Sequence, residues 1–248
     1  MNLKRRNIVI TGGTAGIGLE LVRQMQQEND LLVIASNEER LEHLTRAFPR
    51  IMTCRADLAQ LSEVEAAAAA ARRYFDRIDV LINNAAIQYT ATFVEESFDY
   101  ASIEREVTVN FTTVCALTSL LLPALIHDGE AAIVNVNSGL GLMPKKSSAV
   151  YCATKHAVAA ITQGLRLDLL GTRVRVSSVD PGLVKTDFSL VRFHGDQERA
   201  DPVYQQYPPL RGGNPGGRLF LHSEQAGEVA VERRPGVRGG RGRVFRGS

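Results

Sequence analysis

Six short apolar runs recur along the chain between stretches patterned as helix: Asn7–Thr11, Leu31–Ala35, Ile51–Cys54, Val80–Asn83, Ala131–Asn137 and Val174–Val179. None alternates strictly between apolar and polar residues, as a strand with one wet face would. A strand covered on both faces reads as continuous apolar. Between the runs, Ile17, Leu21 and Met25 fall four apart on one helical face. Leu61–Phe75 contains six consecutive alanines, Ala66–Ala71, a composition suited to a helix interior. Strand–helix alternation of this kind predicts an α/β fold, a doubly wound parallel sheet with helices on both faces.

Composition sets outer limits. With 248 residues, 44% of them apolar, the chain can bury a large core, and α/β folds of this length form one domain. The formal net charge of +2 is uneven. Residues 211–248 hold eight Arg and three Glu, so the preceding residues are mildly acidic, at −3. An acidic body argues against a nucleic-acid partner. Cys54, Cys115 and Cys152 are odd in number and lack CxxC or CxxH spacing. That argues against a disulfide framework or a metal site and points to a reducing cytoplasm. Lys4, Arg5 and Arg6 precede only a short apolar run that Thr11-Gly12 ends, so no signal peptide is expected. No apolar stretch reaches the length of a membrane span, and no membrane partner is expected.

The first run leads into Thr11-Gly12-Gly13-Thr14-Ala15-Gly16-Ile17-Gly18. Between a strand and an amphipathic helix, such a turn brings backbone N–H groups and a helix N-terminus against a pyrophosphate. Glycine at Gly12, Gly16 and Gly18 lets the backbone approach it. A plain glycine turn is the alternative. A second signal is Tyr151-Cys152-Ala153-Thr154-Lys155. On a helix, Tyr151 and Lys155 share a face one turn apart. A phenol with a pKa of about 10 is a poor acid or base at neutral pH, and a neighbouring ammonium favours its ionised form. Ser138 closes the fifth run and could present its hydroxyl at the carboxyl edge of the sheet, where α/β folds bind ligands. Turn chemistry would equally place a serine before Gly139. Cys152 reads as a buried bystander thiol and His156 as a structural neighbour of Lys155.

These motifs, with Asn83-Asn84-Ala85, Asn110 and Pro181-Gly182, stand in the order and spacing of the short-chain dehydrogenase/reductase family, which the chain resembles over roughly residues 5–210. The resemblance implies a Rossmann-type single domain with strand order 3-2-1-4-5-6 and a possible seventh strand. It implies a nicotinamide-dependent enzyme that interconverts a small-molecule carbonyl and an alcohol without a metal, hydride leaving the pro-S face. It also implies roles. Tyr151 is the general acid/base. Lys155 holds the nicotinamide ribose and lowers the Tyr151 pKa. Ser138 binds the substrate oxygen. Asn110, in a long helix around Val107–Leu122, anchors a water that relays protons to Lys155. Asn83 stabilises the end of the fourth strand beside the cofactor. Gly12, Thr14, Gly16, Ile17, Gly18, Asn84 and Ala85 line the dinucleotide, Asp57 and Leu58 its adenine end, and Pro181, Gly182 and Thr186 its carboxamide. Phe188 and Phe193, with Tyr204 and Tyr207, suggest an apolar lid over the substrate, and His194 reads as a solvated loop residue. The Asn83–Gln88 stretch resembles one bacterial subgroup, including oxidoreductases encoded with teichoic-acid D-alanylation genes. Relatives pair the helices containing Asn110 and Tyr151 between subunits. Leu117, Leu121, Leu165 and Leu169 are expected on that outer face, in a homodimer or homotetramer.

An acidic residue at the end of the second strand would bind both ribose hydroxyls and repel a 2′-phosphate. Ala35 stands there, and Ser36 follows where many NADP-preferring relatives carry Arg. Ser36, Asn37 and Arg40 could cradle a phosphate, so the reading leans to NADP over NAD. Ala86 replaces the glycine of the family's NNAG motif. After a substrate loop at 183–210, family chains continue with an acidic helix and a seventh strand. Here the pattern stops at Leu210, and residues 211–248 hold ten Gly and eight Arg. Such a segment buries too little apolar surface to offset its ordering entropy. It reads either as a flexible basic tail or as a stretch translated in a wrong frame, the latter favoured by the missing last strand. The domain is therefore 1–210 and the tail 211–248. Rival functions are a cofactor-binding sensor and an inactive product of a disrupted frame. The intact Ser138, Tyr151 and Lys155 set favours the enzyme.

Overall fold

A computed structural model describes residues 3–90, 92–94, 99–141 and 144–181. Six parallel strands, β1 (Asn7–Thr11), β2 (Asp30–Ala35), β3 (Met52–Arg55), β4 (Val80–Asn83), β5 (Ala131–Val136) and β6 (Val174–Val179), form one sheet in the order β3-β2-β1-β4-β5-β6. Helices α1 (Gly16–Met25), α2 (Glu38–Ala47), α3 (Leu61–Tyr74), α4 (Tyr100–Val107), α5 (Thr113–Leu125) and α6 (Ala149–Asp168) connect them. Each strand begins and ends within one residue of its apolar run. The possible seventh strand, the loop 183–210 and the tail lie outside the described residues.

Alternate residues of each strand enter opposite cores, which is why the runs read as continuously apolar. Val9, Leu32, Ile34, Leu81 and Ile133 pack with α3, α5 and Leu169 just after α6. Ile8, Ile10, Leu31, Val33 and Ile82 pack with α1 and α2 on the other face. Ala67, Ala68 and Ala71 are buried, and their small side chains let α3 lie close on α5.

A π-helical segment, Thr108–Thr112, joins α4 to α5, so 26 residues from Tyr100 to Leu125 run as one helix. By length and composition this helix could cross a membrane, contrary to the expectation that no stretch reaches that length. In the fold Leu117, Leu121 and Leu125 are fully buried in the sheet's core. The expected subunit face is corrected by the same observation. Leu117, Leu121 and Leu169 are core residues, and Leu165 is half-buried against that core. A helix lying on a sheet turns its apolar stripe inward, so that stripe is not available to a partner.

The amino edge of the sheet is closed by a buried carboxylate. Asp79 accepts the Asn7 N–H at 2.8 Å and pairs with Arg6 at 3.3 Å. That edge lies at the far end of the strands from the glycine turn.

Candidate active site

The strand order reverses between β1 and β4, and the crevice outside their carboxyl ends is where such sheets take ligands. There β1 leads into Gly12 (φ +67°) and Gly16 (φ +55°), left-handed conformations that glycine adopts freely. A Cβ on Gly12 would lie 2.9 Å from Ala85 Cα. One on Gly18 would lie 2.3 Å from the Gly12 carbonyl oxygen and 2.5 Å from Asn84 Nδ2. These glycines therefore serve the protein's own close packing, as well as any approach to a ligand. Gly13, which motif reasoning passed over, belongs with them: its Cβ would lie 2.7 Å from Val33 Cγ1. Thr11 Oγ1 accepts the N–H groups of Asn84 and Ala85, each at 3.0 Å. Asn84 Nδ2 donates to the carbonyls of Thr11 at 2.9 Å and Gly12 at 3.1 Å. The Asn84 side chain thus holds the turn. Thr14 and Ile17 are half-buried within and just after it.

Ser36, Asn37 and Arg40 are exposed at the end of β2. Asn37 Oδ1 accepts the Arg40 N–H at 2.8 Å and caps α2, so its carbonyl group is committed to the helix. After β3, the Asp57 carboxylate accepts the Ala59 N–H at 3.1 Å, a local turn contact. It also meets the Arg105 guanidinium of α4 in a two-pronged contact at 3.1 and 3.2 Å. Leu58 is buried in the core and its carbonyl accepts the Thr113 hydroxyl at 2.6 Å, so it offers the edge no side chain.

Lys155 is 3% exposed, and its Nζ donates to the carbonyl of Val136, the last residue of β5, at 2.9 Å. The same Nζ lies 5.7 Å from the centroid of the Tyr151 ring. The i,i+4 spacing on α6 does bring phenol and amine together. Burial pushes the Lys155 pKa down to about 8, against the opposing charge of Asp180. Ser138 stands just past β5, and its Oγ accepts the Leu140 N–H at 3.2 Å. That is turn chemistry, and it leaves the hydroxyl hydrogen to donate elsewhere. The short 3₁₀ turn Gly139–Gly141 packs on α6, so Ser138 adjoins the helix of Tyr151. Cys152 is buried, and exposed His156 bonds the Cys152 carbonyl through Nδ1 at 2.7 Å.

Asn110 sits within the π segment and is fully buried. Its Oδ1 accepts the Ile87 N–H at 2.8 Å, and its Nδ2 donates to the Ile87 carbonyl at 2.8 Å and to Thr154 Oγ1 at 3.2 Å. The amide is a clasp from the segment after β4 to the residue before Lys155. Gln88, 1% exposed, adds a second: its Nε2 donates to Ser148 Oγ at 2.8 Å, at the start of α6. Asn83 faces the interior. Its Nδ2 donates to Thr118 Oγ1 at 3.2 Å and to Asn135 Oδ1 at 2.9 Å, tying β4 to α5 and β5. Past β6, Asp180 accepts Asn137 Nδ2 at 2.9 Å. Burial raises the Asp180 pKa, opposed by that bond, the Lys155 charge and the Ser138 N–H.

The short chain dehydrogenase family matches residues 6–196. The chain belongs to that family. It is 32% identical over 216 residues to an NADP-dependent 3-hydroxy acid dehydrogenase of Schizosaccharomyces pombe, covering 84% of this chain and 83% of that one. Over 187 residues it is 35% identical to the uncharacterized oxidoreductase DltE of Bacillus subtilis, with 75% and 74% covered. Its structure matches the closed form of serine dehydrogenase complexed with NADP+ at a TM-score of 0.77 and 30% identity, covering 83% and 84%.

This short chain dehydrogenase is an oxidoreductase, and its described edge fits a dinucleotide. Helix α1 begins after Ala15 without a side-chain cap or an acidic residue in its first turn, so its leading N–H groups suit a pyrophosphate. Pro181 is the last described residue of its turn. Gly182, Thr186, Phe188, Phe193, His194, Tyr204 and Tyr207 lie outside the described residues. Sequence reasoning missed Gly13, Gln88, Arg105 and Asp180. Only Gly13 had a local signal, as the middle residue of the glycine turn.

Proposed function

We propose that this dehydrogenase reversibly reduces a small-molecule carbonyl to an alcohol, with Tyr151 as general acid in reduction and general base in oxidation. The buried Lys155 amine beside the Tyr151 ring carries the reading, because an ammonium there favours the phenolate. A nicotinamide cofactor supplies or accepts the hydride when bound. The chain's own groups do the rest. The Tyr151 hydroxyl gives its proton to the carbonyl oxygen, the Ser138 hydroxyl donates a hydrogen bond to the same oxygen, and Lys155 stabilises the phenolate left behind. Gly12, Gly16 and the start of α1 face the pyrophosphate, and Lys155 the ribose. Both donors of the Asn110 amide are engaged, and in this reading the relay water expected near it sits on the backbone of the π segment, an irregularity frequent at functional sites.

NADP is the cofactor assigned. Ala35 ends β2 without a carboxylate to repel a 2′-phosphate, and two relatives carry NADP in their names. Ser36 and Arg40 are the phosphate ligands in this reading, with Asn37 held by its cap. The names of the relatives make 3-hydroxy acids the first substrates to screen, under a lid that includes Phe188 and Phe193. A reducing cytoplasm is the compartment of this reading, from the odd number and the spacing of the three cysteines. A homodimer or homotetramer would use the outward α6 residues Ala153, Ala160 and Leu167, and sedimentation tests it. The wrong-frame reading of residues 211–248 is tested on the coding sequence: no better-patterned alternative frame over that stretch would overturn it.

Tyr151→Phe is the decisive variant. It is expected to lower alcohol-dependent nicotinamide reduction by about a thousandfold while cofactor affinity stays near that of the wild type. Comparable turnover in this variant rejects the mechanism.

A further inference from the structure

The ends of β5 and β6 are joined by more than their ladder. Asn137 donates its backbone N–H to the Val179 carbonyl at 2.8 Å and its side-chain Nδ2 to Asp180 Oδ1 at 2.9 Å. The next residue is Ser138, whose hydroxyl turns toward the Leu140 N–H. The segment bearing the substrate-site serine thus holds a half-buried carboxylate through the Asn137 amide. One residue upstream of Asn137, the Val136 carbonyl accepts Lys155 Nζ at 2.9 Å. The adjacent residues Val136 and Asn137 therefore grip an amine and a carboxylate.

Among the described residues, the titratable or charged groups facing Lys155 are Tyr151 from its own helix and Asp180 from the end of β6. From β5 it meets the neutral Val136 carbonyl. From the π segment, the neutral Asn110 amide reaches the adjacent Thr154.

We propose that Asp180 is a positioning residue of the active site: its carboxylate ties the Ser138 segment to the end of β6 and supplies the negative charge that faces the buried Lys155 amine. The inference rests on the reading of Lys155 as a working ammonium. Burial already draws the Lys155 pKa down to about 8 with Asp180 in place. Removing the opposing charge draws it down further, so Lys155 loses its proton at a lower pH.

The test is Asp180→Asn in the full chain, which keeps an acceptor for Asn137 Nδ2 and removes the charge. The ¹³Cε signal of Lys155, assigned by its loss in Lys155→Met, is titrated in both proteins. The midpoint is expected to fall by about one pH unit in Asp180→Asn, and the alkaline limb of the kcat profile to move down with it. Asp180→Glu, which restores the charge, is expected to return both toward wild type. An unchanged Lys155 midpoint in folded Asp180→Asn overturns the proposal. If that variant does not fold, Asp180→Ser, also an uncharged acceptor, is titrated with the same two outcomes. The two readings fail separately. Absence of wild-type turnover on every carbonyl and alcohol defeats the proposed reaction, whereas the nuclear resonance titration decides the role of Asp180 without any substrate.

Discussion

Lys155 is placed where its charge is costly, and this sets how the fold responds to pH. Its folded pKa of about 8 lies below the ordinary 10.5. Between those values the unfolded chain binds more protons, so stability rises with pH across that window, and below about 8 the full penalty of burying the ammonium is present. The gap corresponds to a few kcal/mol, about 3. Urea unfolding of wild type and Lys155→Met is expected to show wild type gaining on the variant between about pH 8 and 10, by up to that amount. Parallel curves would mean that the amine is not desolvated. Gly18 is a second residue with a narrow tolerance. Its Cβ would meet the Gly12 carbonyl oxygen at 2.3 Å, which no rotamer change relieves, so α1 must move away from the turn after β1. Gly18→Ala is expected to cost about 2 kcal/mol and to weaken nicotinamide cofactor binding. Gly164→Ala, where a Cβ meets nothing within 4 Å, is expected to be neutral or to stabilise α6 by up to about 1 kcal/mol. Equal effects of the two in calorimetry and cofactor titration would reject the packing account.

The element that decides the catalytic geometry is α6, and two side chains locate it. Asn110 holds it at Thr154, and Gln88 holds its first turn at Ser148. Both reach from the segment after β4 or the π segment, so the helix bearing Tyr151 and Lys155 is referred to the same strand end that holds the glycine turn. The π segment Thr108–Thr112 carries Asn110, which bonds the Ile87 backbone, an aim that an uninterrupted α-helix would not guarantee. Gln88→Ala leaves the Ser148 hydroxyl buried without its donor and loosens the start of α6. A fall in kcat of roughly tenfold is expected, equivalent to about 1.4 kcal/mol, with Ser148→Ala similar and the double variant little worse than either. Additive losses, or wild-type kcat in Gln88→Ala, would show that this bond does not position the site.

Across the whole molecule, the two edges of the sheet have separate jobs. The carboxyl edge collects the glycine turn, Ser138, Lys155 and Asp180. The amino edge holds Asp79 with Arg6 and the Asn7 N–H. Removing one partner of a buried charged pair leaves the other uncompensated. Asp79→Ala is therefore expected to destabilise the fold by about 3 kcal/mol, while the folded protein binds cofactor as tightly as wild type at low temperature. A matching loss of cofactor affinity in folded Asp79→Ala would contradict this division.

The strands and the Tyr151–Lys155 pairing could be read without coordinates, because each follows from short-range periodicity, whereas the strand order was what the family resemblance implied. A strand covered on both faces, a turn between strand and helix, and residues one helical turn apart are all local patterns. The fork of Arg105 on Asp57, the Gln88–Ser148 bond and the Asn137–Asp180 bond join residues 48, 60 and 43 positions apart. No local pattern tells which distant polar groups will share a buried edge. The same limit misplaced Leu117 and Leu121: a helical stripe shows that a face is apolar, and only packing shows whether it meets its own sheet or another chain. The sequence by itself determined the layers of this protein and the chemistry available at one end of them. Tertiary structure decided which neutral and charged groups surround that chemistry, because burial and Coulomb interaction depend on distance through space.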